Sequence, residues 1–298
     1  MTVQRVIAHP LTGPASRPVD MRTGAAFDAE TYSLMKHGDF SAALTFGAEV
    51  ATRLLDECRW LLTEERPVLL PVACHVTVPS CHLLAEVVSI HLNTARKGMP
   101  AAQITDVHKS SVTHIDYARS TEAERRRDLS GIAFELVEPV TGANVVVVDD
   151  IRVTGMAEQT MLSVLEGAGA TRVIAAYVAS CDDALAAEPS IESRLNTARV
   201  RSVLDVLPVV RSGHFRVTIR FLKRLLGEPE TAEFLAQCPR PLAWELRTQA
   251  ERNGRDFVAA YPEGMRALRE ATPGWPERPE PIEGEVWGWR MGSTTEKH

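Results

Sequence analysis

The stretch Asn144-Val-Val-Val-Val-Asp-Asp-Ile-Arg-Val-Thr-Gly-Met-Ala157 decides the reading of this chain. Four β-branched residues run into two adjacent acids, and a short loop around Thr154-Gly155 leads into an amphipathic run, Glu158 to Gly167. This order reads as strand, acidic tip, loop, helix. A continuous valine run is the pattern of a strand buried on both faces, which predicts a mostly parallel sheet with helices on both sides. Ligands on such sheets sit outside the carboxyl ends of the strands, where Asp149 and Asp150 fall. Main-chain N–H groups of Arg152, Val153, Thr154, Gly155, Met156 and Ala157, with the Thr154 hydroxyl, would then surround a helix N-terminus, a place that favours phosphate.

The segment resembles the phosphoribosyl-pyrophosphate (PRPP) signature of the type I phosphoribosyltransferases. Val145–Val148, Asp149-Asp150 and Val153-Thr154-Gly155-Met156-Ala157 match it in order and spacing. Val153 and Ala157 stand where threonine is common in the family. The resemblance implies that Asp149 and Asp150 bind the ribose hydroxyls and that the loop 152–157 wraps the 5′-phosphate. It further implies a pyrophosphate site in the turn after an early core strand, which places Ala73, Cys74 and His75 there. The segment His108–Arg127 resembles the family's closing loop, with a run similar to competence-type, amidophosphoribosyl-like members. Lys109, Tyr117 and Arg119 are its expected pyrophosphate donors. Such loops exclude water from an activated sugar.

The expected activity is phosphoribosyl transfer from PRPP to a small-molecule, nitrogen-bearing acceptor. The alternative is a PRPP-binding regulatory or sensing protein without turnover. Mg²⁺ keeps several waters and prefers oxygen ligands, so it is expected to bind mainly through PRPP. No protein metal site is expected. Cys74-His75 and Cys81-His82 repeat at a spacing of seven, but adjacent ligands converge poorly on one zinc.

Working outward, Asp28–Leu62 is helical, with Phe46, Val50, Leu54 and Cys58 at three-to-four spacing and a break at Lys36-His37-Gly38-Asp39. Asp39 or Ser41 is expected to cap the second helix, and Ser80 another that runs to about Leu92. Strands are expected at Pro67–Cys74, Ile104–Val107, Ala133–Val137, Val145–Val148, Arg172–Ser180 and Val203–Val206. Residues 1–25, with three prolines and two glycines, read as an irregular arm. Helices are expected at Phe215–Leu226, Thr231–Cys238, Leu242–Asn253 and Met265–Glu270. The expected architecture is α/β, a phosphoribosyltransferase-like core over 67–212. It carries an N-terminal arm and helices (1–66), a C-terminal helical region (213–271) and a tail with Trp287 and Trp289 (272–298). The helical additions, around Asp28–Phe46 and Phe215–Tyr261, are expected to form the hood that selects the acceptor.

The 298 residues, 45% hydrophobic and 24% charged, suit a globular chain, and the net charge of −6 argues against a nucleic-acid surface. No apolar run is long enough for a membrane span, and the first residues lack the apolar core of a secretory signal. Five scattered cysteines make no disulfide framework. A cytoplasmic homodimer is expected.

Overall fold

The computed structural model describes residues 1–109 and 134–274. Its sheet has seven strands in the order β2-β1-β7-β6-β3-β4-β5. They are β1 (Thr2–Thr12), β2 (Val19–Asp20), β3 (Val68–Cys74), β4 (Ala102–Lys109), β5 (Phe134–Leu136), β6 (Asn144–Arg152) and β7 (Arg172–Cys181). β1, β7, β6, β3 and β4 pair in parallel; β2 and β5 are short antiparallel edges. The architecture is therefore α/β with a mostly parallel sheet and helical additions.

The valine run explains β6. Val146 and Val148 join the apolar cluster on one face of the sheet, and Val145 joins the cluster on the other. Successive strand residues point to opposite faces, so both faces of this strand must be covered. On the first face lie α1 (Ala29–Lys36), α2 (Phe40–Glu57) and α3 (Ser80–Ala95); α2 packs on α3, β1 and β7, and α3 packs on β6. α4 (Met156–Gly167) covers the second face with Leu165. Burying each such aliphatic side chain contributes about 1.5–3 kcal/mol. Asp39 caps α2 by accepting from the N–H groups of Ser41 and Ala42, as its place in the sequence suggests.

β3 and β6 stay paired only at Val68↔Asn144 and Leu69↔Val145. Beyond that the two strands part, while β6 continues beside β7 to Arg152↔Ser180. Connections leave in opposite directions from this point, so it is a topological switch point and the natural place for a ligand crevice. Pro71, which has no N–H, lies past the last β3–β6 pair and removes nothing from that ladder.

Three expectations are corrected. Residues 1–25 are not an irregular arm: β1 pairs with β7 over most of its length, and β2 closes on its end. Because β2 covers only Leu11 and Thr12, β1 is nearly an edge strand and tolerates Pro10. Val203–Val206 is not the last strand but a 3₁₀ turn, opened by a capping box between Ser202 and Asp205. Ser80 does not cap α3 with its side chain; its hydroxyl has another partner, described below.

After β7 the chain forms α5 (Asp183–Ala186), α6 (Ile191–Asn196) and α7 (Leu207–Ser212). It continues as α8 (Ile219–Gly227), α9 (Thr231–Gln237), α10 (Arg240–Arg252), α11 (Arg255–Ala260) and α12 (Pro262–Ala271). From Val200 onward these helices share an apolar cluster of their own, which includes Phe221, Phe234, Leu246 and Leu268. They dock on the sheet side through main-chain bonds: Phe40 N to His214 O (2.9 Å), Arg216 N to Gly38 O (2.8 Å) and Ile219 N to Val78 O (2.9 Å). Thr77 donates to Gln249 (3.1 Å) and accepts from Asn253 (2.6 Å).

Gly38 sits at the centre of this junction with φ +99°, and a Cβ there would lie 2.1 Å from the Arg216 carbonyl oxygen. Gly38→Ala is expected to lower stability by about 3 kcal/mol, from left-handed backbone strain plus the clash. Urea unfolding measures it; an unchanged midpoint would contradict this junction.

Candidate active site

Face alternation along β6 separates the two acids. Asp150 follows Val146 and Val148 onto the α1/α3 face, and Asp149 follows Val145 onto the α4 face, opposite Tyr177 in register. Asp150 is 6% exposed. Its Oδ1 accepts from the Tyr32 hydroxyl (3.1 Å), and its Oδ2 accepts from Ser80 Oγ (3.1 Å) and from Lys36 Nζ. Burial pushes the Asp150 carboxyl up, but the Lys36 ammonium and its hydrogen bond outweigh burial and hold it below the usual range. Asp149 keeps partial exposure; its Oδ1 accepts from the N–H of Asp150 (2.9 Å). Burial, then the neighbouring Asp150 charge, push Asp149 up to about 7.

Both acids border a cavity of about 710 Å³ at the β3–β6 opening. The loop Val153–Ala157 forms another edge, with Gly155 in the left-handed region (φ +77°) as the residue before α4 and no side-chain cap on that helix. A Cβ on Gly155 would lie 2.8 Å from the Arg152 guanidinium. Arg152 itself ends β6 rather than opening the loop. Its Nε lies 3.4 Å from Glu158, which also accepts from Arg5 (2.7 Å) and Tyr177 (3.1 Å).

The predicted pyrophosphate residues divide. Ala73 and Lys109 line the cavity; Cys74 and His75 are not part of that lining. The Lys109 ammonium sits 5.5 Å above the Phe134 ring. His75 Nδ1–H donates to the Lys109 carbonyl (2.8 Å). Tyr117, Arg119 and most of His108–Arg127 lie outside the described residues, as does the tail with Trp287 and Trp289.

Sequence reasoning missed much of the wall. Lys36 comes from α1, with Tyr32 behind it on Asp150, Ser80 from α3, Asn196 from α6, and Arg220, Lys223 and Arg224 from α8. Only the helix break at Lys36–Asp39 hinted at the first pair. Both expected hood regions do reach the cavity, through Lys36 and His37 on one side and Ile219 to Tyr261 on the other. His37 is buried. Its Nδ1–H donates to Ser33 O (2.8 Å), its Nε2 accepts from Arg224 (3.4 Å), and burial pushes it down to about 3, so the ring is neutral.

A family model described as PRTase ComF-like matches residues 19–239, most of the chain. The chain belongs to this phosphoribosyltransferase family. The match includes α1, both acids, the loop after β6 and α8. A search of curated proteins gives no match. Solved structures similar to part of the chain include an L. donovani hypoxanthine-guanine phosphoribosyltransferase, at 13% identity and TM-score 0.33 over 48% of this chain and 70% of that one. A Trypanosoma cruzi hypoxanthine phosphoribosyltransferase gives 12% and 0.32 over 49% and 76%. A purine phosphoribosyltransferase of Pyrococcus horikoshii gives 16% and 0.25 over 46% and 71%. These TM-scores lie below 0.5, and the family assignment rests on the family match.

The two acids should respond oppositely to pH and to mutation. Between about pH 4, the usual carboxyl value, and about 7, folded Asp149 keeps a proton that the unfolded chain has released. Its presence therefore removes stability as pH rises through that window. Asp150, held low, contributes stability that is present above the usual range and lost as pH falls through its folded value. Asp149→Asn is expected to leave the ligand-free protein equal or more stable at pH 8. Asp150→Asn strands Lys36 and should cost about 3–5 kcal/mol, so the two acids are not equivalent in the fold. Urea unfolding at pH 5 and pH 8 checks both; equal losses in the two variants would refute the asymmetry.

Proposed function

We propose that the protein moves the 5-phosphoribosyl group from PRPP to a small-molecule nitrogen acceptor and releases pyrophosphate. The observation that supports this best is the partly exposed Asp149 carboxylate. It borders one cavity with the loop Val153–Ala157 at the N-terminus of α4. In the proposal the loop's N–H groups and Thr154 take the 5′-phosphate, as a helix N-terminus favours. Asp149 takes the ribose hydroxyls and stabilises the cationic sugar as the C1–O bond to pyrophosphate breaks and the C1–N bond forms with inversion. Catalysis of this kind rests on positioning and charge. Asp150 acts through Lys36, which it fixes at the cavity edge. Arg152, lying against Gly155, adds a positive charge near the phosphate. Lys109, the end of β3 from Ala73 to His75, and Tyr117 and Arg119 of the following segment make up the proposed pyrophosphate side.

Mg²⁺ suits this donor set. Asp150 is engaged by Lys36, so Asp149 is the carboxylate of the pair available to a hydrated cation that arrives with the substrate. The bound cation would neutralise charge on the leaving diphosphate. Small-molecule substrates rather than nucleic acid, a homodimer and a cytoplasmic location complete the proposal. No helix among the described residues is long and apolar enough to cross a membrane.

A PRPP sensor without turnover is the second reading, and the three donors already on Asp150 favour it. Pyrophosphate release separates the two. With Mg²⁺, PRPP and a panel of nitrogen heterocycles, the transferase reading expects release that falls by ~10²-fold or more in Asp149→Asn, the scale of a lost charge-stabilising group. PRPP binding without release from any acceptor would leave the sensor, and no PRPP binding would sink both. Because the hood is built from long additions, adenine, guanine, hypoxanthine and orotate are expected to be poor acceptors; efficient turnover of any of them in the same assay would refute that expectation.

A further inference from the structure

The cavity wall holds a polar side chain with nothing to bond. Asn196, the last residue of α6, is 2% exposed and lines the cavity. Among the described residues neither its Oδ1 nor its Nδ2 has a hydrogen-bond partner. Buried amides are almost always paired, and an unpaired one is destabilising. The residue is not loosely placed. Its carbonyl accepts from Ser33 Oγ (2.7 Å), and Ser33 Oγ in turn accepts from the N–H of Val200 (3.0 Å). Ser33 thus ties α6 to α1 while Tyr32 and Lys36, on the same short helix, hold Asp150. The Asn196 backbone and Asp150 are thus positioned by one element. The Glu192–Arg220 pair (3.9 Å) closes the wall beside it, with Ser193 and Thr197 also on the cavity side.

We propose that Asn196 reads the acceptor, and that the acceptor presents an adjacent hydrogen-bond donor and acceptor, the edge of a cyclic amide or amidine, on a ring other than the four bases expected above to be poor acceptors. A carboxamide offers one oxygen acceptor and an N–H donor side by side, and a cyclic amide is its complement, N–H to Oδ1 and C=O from Nδ2. A site whose buried polar groups are satisfied only by the right ligand rejects an analogue that leaves them unpaired. This supplies selectivity from a helix that neither expected hood region includes. It rests on the transfer reading above for its biological meaning, but not for its test.

The test uses the full chain with Mg²⁺ and PRPP, and two probes, 2-pyridone and N-methyl-2-pyridone, which share a ring and a carbonyl but differ in the N–H. Ligand-observed NMR titration gives their affinities for the wild type, Asn196→Leu and Asn196→Val, neither of which can hydrogen-bond a probe. The wild type is expected to prefer 2-pyridone by ~10-fold or more, the scale of a buried hydrogen bond, and both variants should lose the preference. Their melting temperatures without ligand should be equal to or above the wild type's. Equal binding of the two probes by the wild type, or a preference kept in both variants, would overturn the assignment. A lower melting temperature in both variants would also overturn it, because the amide would then be structural. A PRPP-induced thermal shift, measured on all three proteins, keeps the outcomes apart. Its absence from the wild type counts against the transfer reading, whereas the probe ratio decides Asn196.

Discussion

Asp150 lies where the sheet ends but water scarcely reaches, and a charge in such a place must be met by the protein. Its three donors come from two helices on one face: Tyr32 and Lys36 from α1, and Ser80 from α3. The rest of the site follows from this requirement. α1 has only eight residues, too few to be stable as an isolated helix. Its docking on Asp150, with Asp28 as its cap, gives it a fixed place. From that place Ser33 holds α6, His37 meets Arg224 of α8, and Gly38 receives Arg216. One buried ion pair thereby joins the sheet to the helices that roof the cavity.

The same strand geometry leaves Asp149 in the opposite condition. It points to the other face, has no cation bonded to it in the described structure, and is pushed toward neutrality by burial and by its neighbour. Adjacent residues of one chemical type thus divide into a group that stabilises the fold and a group whose charge the fold disfavours. Stability given up at such a position is the usual mark of function. Gly155 extends this division to the loop, where its left-handed turn begins α4 with no side-chain cap.

The valine run, the acids and the Thr154-Gly155 turn were legible because their meaning is local: period, burial and turn chemistry lie within fourteen residues. β1 was hidden by Pro10 and by the glycines and prolines after it, which a strand paired mainly on one side can tolerate. Val203–Val206 misled because β-branched composition outweighed a short-range signal, the Ser202–Asp205 capping box. Ser80 resembled a cap by position, but a buried carboxylate competes for its hydroxyl. Asn196 carried no local signal, and Tyr32 and Lys36 only the helix break beside them, since what makes these residues notable is who stands opposite. The segment with Tyr117 and Arg119 lies outside the described residues.

The distances along the chain between these partners carry a further meaning. Lys36 and Asp150 are 114 residues apart, and Ser33 and Asn196 are 163 apart. At a synthesis rate of about 5–20 residues per second, Lys36 waits roughly 6–23 s for its carboxylate to be made. β1 waits longer still for β7, its partner over nearly its whole length. The first sixty residues therefore leave the ribosome with a strand and a lysine whose native partners have yet to be made. Contacts this distant also close slowly. The cavity is among the last features of the molecule to form, and a nascent chain stopped before β6 holds none of its acidic centre.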